Sequence, residues 1–200
     1  MTSAREIIFV TGNANKLKEV KMILAPSENE PSPSFTIVNE ALDLEELQDI
    51  DLEAIALAKC KQAVQILGPG RPVFVEDTAL RFDEFNGLPG AYIKWFVKSM
   101  GLAKIVQMLQ PFENKGAEAV TTIVYADGKG QYHTFQGITR GTIVDSRGPT
   151  TFGWDSIFQP IEGKGQTYAE MEKKDKNLIS QRGRAFAQLK DFLYNSSDNQ

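Results

Sequence analysis

The 200-residue chain holds one cysteine, Cys60, and one histidine, His133. Cys60 has no second cysteine to pair with, and a zinc site of the His/Cys type is excluded by simple count. A Ser-His-Asp triad would have to use His133, which lies in the strand-like run QYHTFQ with no nucleophile elbow nearby. Basic residues are scarce too: 22 Lys and Arg against 26 Asp and Glu leave a net charge of -4. That balance argues against a protein that grips a nucleic-acid backbone, which needs clustered Lys and Arg. No apolar run approaches the roughly 18 residues of a membrane span, and no signal-peptide pattern stands at the start, so a soluble intracellular protein is expected. What remains is chemistry by carboxylates, lysines and a hard metal ion. At 42% hydrophobic and 24% charged residues, the chain can bury a sizeable interior as one unit or as two lobes sharing a core.

The local patterns alternate between strand and helix. Residues 7–10 (IIFV) read as a strand, and Leu17, Val20, Ile23 and Leu24 give a helical stripe that Pro26 ends. PSENEPSPS (26–34) reads as a surface loop. FTIV (35–38) reads as a second strand, an acidic segment follows, and a helix is expected from Asp51 to Leu67, closed by Gly68-Pro69-Gly70. PVFVEDTALRF (72–82) is the strongest strand signal. Two helical segments follow between Ala91 and Gln110, and 119–127 with 131–144 read as a hairpin around DGKG. A last helix is expected from Asp175 to Tyr194, ahead of a frayed tail, 196–200. These elements predict an α/β or α+β protein with a mixed sheet, formed by one domain over residues 1–195.

Function shows where these patterns are broken. The apolar stripe of the 51–67 helix is interrupted by Lys59, whose ammonium either snorkels to water or faces an anion in a cleft. The stripe of the last helix, counted from Leu178, is interrupted by Arg182, which suits either a buried salt bridge or the same anion. In VFVEDTAL, strand alternation puts Val73, Val75 and Asp77 on one face and Phe74, Glu76 and Thr78 on the other, so the two carboxylates diverge. They lie near the carboxyl end of a strand, where open α/β sheets bind ligands. A second acidic group, Asp43, Glu45, Glu46 and Asp49, reads either as charge complementing a helix dipole or as a source of oxygen ligands for magnesium, which takes one or two carboxylates beside substrate phosphates. Thr11-Gly12-Asn13-Ala14-Asn15-Lys16 lacks the spacing of a P-loop. It still offers small residues, a helix N-terminus and a lysine in the first turn, the parts of a phosphate cradle. TYAE (167–170) reads as a helix-capping box. Trp95 and Phe96 read as core or interface residues, whereas Trp154, between Gly153 and Asp155, reads as part of a site.

TGNANKLKEV, FVEDTALRFDEFNGLPGAYIKWF, TFGWDSIF and the TYAEM…KNLISQR ending together resemble the inosine triphosphate pyrophosphatase family in its eukaryotic form, over about Ile7 to Leu193. The resemblance implies a long mixed sheet with flanking helices and two lobes around a central cleft. It implies Mg2+-dependent hydrolysis of ITP, dITP and XTP to the monophosphate and pyrophosphate, with Mn2+ as a substitute ion. Homodimers acting in the cytoplasm and nucleus, with no nucleic-acid or membrane partner, are implied as well. Carried onto this chain, Thr11, Gly12, Asn13, Ala14, Asn15, Lys16 and Lys59 would hold the triphosphate. Glu46 and Asp77 would ligate the metal, and Asp77 with Glu76 would serve catalysis. Thr78 and Lys94 would contact substrate. Phe152, Gly153, Trp154 and Asp155 would line the nucleoside pocket, with Lys176, Gln181 and Arg182 at the base.

One position departs from the family pattern: where relatives carry Ser-His-Arg, this chain has Ser180-Gln181-Arg182. Glutamine offers both a donor and an acceptor and is uncharged at every pH, which puts base selectivity in question and leaves the phosphate chemistry untouched. Two other readings stand beside the main one, a nucleotide sensor without turnover and a pyrophosphatase for another modified nucleotide.

Overall fold

The computed structural model describes residues 5–26, 33 and 35–197. Most of the loop expected at 26–34 and the end of the tail, 198–200, lie outside the described residues. The strands are β1 (Arg5–Val10), β2 (Phe35–Glu40), β3 (Val73–Phe82), β4 (Pro89–Gly90), β5 (Gly116–Ala126), β6 (Tyr132–Ile143) and β7 (Phe158–Pro160). The helices are α1 (Ala14–Leu24), α2 (Leu52–Leu67), α3 (Ile93–Met100), α4 (Leu102–Leu109), α5 (Lys173–Ile179) and α6 (Gln181–Ser197). The strands form a seven-stranded sheet in the order β2-β1-β3-β5-β6-β7, with β4 on β3. β1 pairs in parallel with β2 and β3, while β3–β4 and β6–β7 are antiparallel, so the sheet is mixed as expected. Among the described residues no helix is long and apolar enough to cross a membrane.

By its internal contacts the chain divides into two compact units. The first takes the described residues up to Asp77, Thr122–Gln136 and the described residues from Ala185 onward; the second takes Thr78–Thr121 and Gly137–Arg184.

In the first unit the strands are apolar on both faces, as strands covered on each side must be. Alternation distributes their side chains between two cores. Ile7, Phe9, Phe74, Ile123 and Tyr125 pack with Val20 and Leu24 of α1 and Phe186 and Leu189 of α6. Ile8, Val10, Val73, Val75 and Val124 pack with Ala56, Cys60 and Ala63 of α2. Phe9 and Phe74 stack at 4.6 Å between ring centroids, with Phe186 edge-on to both. In the second unit, Leu80, Phe82, Ile93, Ile105, Leu109, Trp154, Phe158 and Tyr168 form one core.

Two expectations fail on helix boundaries. The expected helix from Asp175 to Tyr194 is two helices with an elbow at Ser180. The N–H of Ser180 donates to the Lys176 carbonyl (2.8 Å), closing α5, while its own hydroxyl accepts from the Gly183 N–H (3.0 Å), opening α6. A serine that satisfies an orphan N–H is a good reason for a helix to start where it does. Leu178 thereby leaves the apolar stripe and is 73% exposed. At its other end α6 continues to Ser197, two residues into the expected tail. TYAE is also no helix start, because Thr167–Glu170 closes a turn. The Glu170 carboxylate does accept from the Thr167 N–H (2.8 Å), one half of a capping box, but the Thr167 hydroxyl donates to the Arg147 carbonyl (2.9 Å).

The elbow depends on Gly183, where a Cβ would fall inside the van der Waals shell of the Asn177 carbonyl oxygen and 2.9 Å from its carbon. Backbone cannot give way as a flexible side chain can. Gly183→Ala is expected to cost about 3 kcal/mol in urea denaturation, the upper range for overpacking. A loss below about 0.5 kcal/mol would show that the elbow is not set by this approach.

Candidate active site

In the first unit, β1 turns through Thr11-Gly12-Asn13 into α1. Asn13 caps the helix, its side-chain oxygen accepting from the N–H groups of Asn15 (3.0 Å) and Lys16 (3.1 Å). Thr11 Oγ1 accepts from the Asn13 N–H (3.1 Å). The turn is tied to β2 by both backbone groups of Thr11: its N–H donates to the Glu40 carbonyl (3.0 Å) and its carbonyl accepts from Asn39 Nδ2 (2.8 Å). The cap narrows the phosphate cradle expected here, since the N–H groups of Asn15 and Lys16 are already engaged. Those of Gly12 and Ala14 are the donors the cap leaves. Gly12 has no left-handed φ, and a Cβ there would meet nothing within 4 Å. Neither conformation nor packing requires glycine at this position. The one property a side chain would remove is the open approach to the backbone, which an anion needs.

Strand alternation in β3 decides where the carboxylates go. Glu76 continues the face of Phe74, on the side of α1, and pairs with Lys16 at 3.1 Å, its side chain 0% exposed. Asp77 continues the face of Val73 and Val75, on the side of α2, and both its oxygens accept from Lys59 Nζ (3.2 and 3.3 Å). The two acids diverge as expected, and each carries one of the two lysines singled out in the sequence. Burial works against the charge on Lys59. The charge and hydrogen bonds of Asp77 outweigh it, with Glu46 and Glu76 adding to the effect, and the pKa is raised above the ordinary lysine value.

Three carboxylates acting on one ammonium make an environment suited to a cation. Among the described residues no three His, Cys, Asp or Glu side chains gather closely enough to hold a metal by themselves. Magnesium bound with substrate phosphates needs only one or two carboxylates, and Glu46 and Asp77 are the two that could supply them. The acidic segment before α2 does not serve the helix dipole as a whole. Asp51 does so, its side chain accepting from the N–H groups of Glu53 (2.9 Å) and Ala54 (3.2 Å), while Asp43, Glu45, Glu46 and Asp49 lie in irregular backbone ahead of it.

In the second unit, two of the expected base-contacting groups converge on one aromatic ring. Lys176 Nζ lies 4.6 Å and the Arg182 guanidinium 5.5 Å from the centroid of the Phe152 ring. Lys176 also forms a buried ion pair with Asp155 at 2.6 Å. Arg182, buried in α6, donates to Thr78 Oγ1 (3.3 Å), which shares a hydrogen bond with Thr121 (3.1 Å). Gly153 takes φ +53°, a conformation that favours glycine, and so turns the loop between Phe152 and Trp154. Lys94 is on the exposed side of α3 with its ammonium 5.3 Å from the Trp95 ring.

The two tryptophans differ in burial. Trp154 is a core residue packed on Phe158 and Tyr168, whereas Trp95 is 38% exposed. The half-buried Phe152 lies by both cations, and the Tyr168 ring lies by Lys176 at 5.3 Å. Sequence reasoning missed Tyr168, hidden inside a segment that scores as a helix cap. Its hydroxyl donates to Gln181 Oε1 (2.9 Å), with both residues buried. A large aromatic in an otherwise Gly- and polar-rich stretch, GKGQTYAE, was the signal available.

The sequence model of the Ham1 family matches residues 7–192. The chain is 72% identical over 192 residues to a Saccharomyces cerevisiae protein named inosine triphosphate pyrophosphatase, covering 96% of this chain and 98% of that one. It is 74% identical over 192 residues to the Kluyveromyces lactis protein of the same name, covering 96% and 97%. Among solved structures it is similar to the Staphylococcus aureus Ham1 protein, with a TM-score of 0.80 at 25% identity, over 96% of this chain and 100% of that one.

The cradle and the paired lysine each generate a test. Gly12→Ala should leave urea stability within about 0.5 kcal/mol yet weaken tripolyphosphate binding by roughly tenfold, the cost of one charge-assisted hydrogen bond; unchanged binding by calorimetry would remove Gly12 from the cradle. Alkaline pH should destabilise the fold through α2. The Cys60 thiol is pushed up from 9.0 to about 12 by burial, with a backbone hydrogen bond from Ala126 opposing, and Lys59 is raised above 10.5. In both cases the native state keeps a proton that the unfolded state releases first, so stability present at pH 8 falls as pH rises past 9.0 through Cys60 and only past 10.5 through Lys59. Urea midpoints from pH 8 to 10.5 should decline, and less steeply in Cys60→Ala; an identical decline would clear Cys60.

Proposed function

The chain belongs to the Ham1 family, and from that premise we propose that it is a nucleoside triphosphate pyrophosphatase acting on the non-canonical purine nucleotides ITP, dITP and XTP. The observation that carries this reading to the level of chemistry is the divergence of Glu76 and Asp77, each holding one lysine of a phosphate cradle.

In this reading Thr11 to Lys16, with Lys59, take the triphosphate. Water attacks the α-phosphorus, Asp77 accepts its proton, and the bond to the oxygen bridging the α- and β-phosphates breaks, releasing pyrophosphate and the nucleoside monophosphate. Lys16 and Lys59 neutralise the charge that builds on the departing pyrophosphate. Glu76, buried against Lys16, fixes that ammonium in place. Glu46 and Asp77 would hold Mg2+, with Mn2+ as a substitute; a divalent ion there supplies polarisation of the phosphate oxygens and an acidified water. Positioned cations of this kind are worth about 100- to 1,000-fold each when removed.

Base selection falls to the second unit. Hypoxanthine and xanthine present an oxygen at C6, where adenine presents an amino group. The ammonium of Lys176 and the guanidinium of Arg182 can only donate. A 6-oxo group satisfies them, and a 6-amino group leaves donors facing donors, a mismatch that can discriminate by about 10,000-fold or more. Assembly as a homodimer is part of the same proposal, supported by the exposed aromatics Tyr92 and Trp95 of the AYIKWF stretch.

The test is pyrophosphate release from ITP, XTP, dITP, ATP and GTP, each with Mg2+ and with EDTA. Release from the first three, lost in EDTA and weak from ATP and GTP, is the expected result; no release from any would favour a sensor. Asp77→Asn should reduce turnover by at least about 100-fold, the lower range for a lost general base, while still binding ITP. Unchanged turnover would remove Asp77 from the reaction.

A further inference from the structure

Gln181 stands where the family resemblance implies histidine, and a glutamine amide is ambiguous: one end donates and the other accepts. Read in isolation it could favour a 6-oxo purine through its NH2 or a 6-amino purine through its oxygen. The side chain is 3% exposed, so water cannot freely satisfy whichever end is left over. What resolves the ambiguity is the buried Tyr168, whose hydroxyl donates to Gln181 Oε1 at 2.9 Å.

The phenol is well placed to act as a fixed donor. Its ring is held in the second-unit core by Phe158 (5.0 Å) and Trp154 (6.2 Å), and Lys176 Nζ lies 5.3 Å from its centroid. Burial pushes its pKa up, so the proton stays on oxygen throughout the working pH range. Nearby, Thr139 commits its own proton to the Ile179 carbonyl (2.6 Å), which ties β6 to the last residue of α5 just before the Ser180 elbow. With Oε1 taken by the Tyr168 hydroxyl, what the amide has left to offer a ligand is its NH2. The Gln181 amide thus adds a neutral donor to the cationic donors of Lys176 and Arg182. It does so without a titratable group, unlike a histidine at the same place.

We propose that Tyr168 is a specificity-positioning residue: by holding Gln181 Oε1 it turns the amide NH2 toward the nucleobase and selects an oxygen acceptor over an amino group. Tyr168 does not itself touch the substrate. The inference rests on the pyrophosphatase reading above.

The experiment is a double-mutant cycle read as the ratio of kcat/KM for ITP to that for ATP, in wild type, Tyr168→Phe, Gln181→Ala and the double variant, with urea stability measured for each. Phenylalanine keeps the ring and its packing and removes only the hydroxyl. The expected result is a ratio that falls by roughly tenfold in Tyr168→Phe, the worth of one well-placed hydrogen bond, with most of the loss on ITP. Tyr168→Phe should then have no effect on the ratio in the Gln181→Ala background. A merely structural role would lower both substrates together and leave the ratio alone. An unchanged ratio in Tyr168→Phe, or an equal change with and without Gln181, overturns the inference and leaves the pyrophosphatase reading standing. Equal hydrolysis of ITP and ATP by wild type also overturns it, since there is then no selectivity to position. Hydrolysis of neither overturns the reading on which it rests.

Discussion

The period of two along β3 is the constraint on which the first unit's chemistry depends. A strand sends successive side chains to opposite faces, and β3 carries two adjacent carboxylates after an apolar run. Because both faces are covered, each carboxylate arrives beside a different helix. Glu76 meets Lys16 at the start of α1, and Asp77 meets Lys59 in α2. A one-residue slip in register would exchange these partners and push Phe74 and Val75 into the wrong cores. The same packing that stabilises the sheet therefore determines which acid is sealed against a lysine and which stays partly exposed. A fully buried Glu76 is compatible with folding because it is paired; removing Lys16 alone would leave an uncompensated buried charge.

The second unit brings two cations together beside an aromatic ring. Lys176 is balanced by one buried carboxylate, Asp155. It and Arg182 also lie by the Phe152 ring, whose face attracts cations through its quadrupole. These groups come from three separate stretches of chain, the loop at 152–155, α5 and the first turn of α6. The Ser180 elbow sets them. Had α5 and α6 been one continuous helix, Lys176 and Arg182 would lie six residues apart on one rod, about 9 Å along its axis. The break turns α6 away and lets Gly183 approach the Asn177 carbonyl.

Much of this was legible in the sequence, for identifiable reasons. Apolar periodicity located β1, α1, α2 and β3. The intrusion of Lys59 and Arg182 on apolar stripes marked both as unusual, and both are engaged with groups of their own unit. Alternation alone predicted the divergence of Glu76 and Asp77. The failures are equally physical. An apolar stripe counted through Leu178 carries no sign of a serine able to cap, so the periodicity reads as one helix where the chain breaks at Ser180. Trp154 was judged by its polar neighbours, yet a tryptophan beside a glycine in a loop can still turn inward to the core.

What the sequence determined by itself is the choice of candidates: one histidine and one cysteine exclude a His/Cys zinc site by count, and TGNANK, VEDTAL and FGWD mark the turn, the carboxylates and the loop that the proposed function draws on. These are properties of residue type and local spacing, and no fold is needed to state them. What only the tertiary structure decided is pairing and orientation: which lysine answers which carboxylate, that Phe152 and not Trp154 faces the cations, and that the Tyr168 hydroxyl takes the oxygen of the Gln181 amide. Such relations join residues distant in the chain or lying across an elbow. Their geometry is set by packing, which no local pattern encodes.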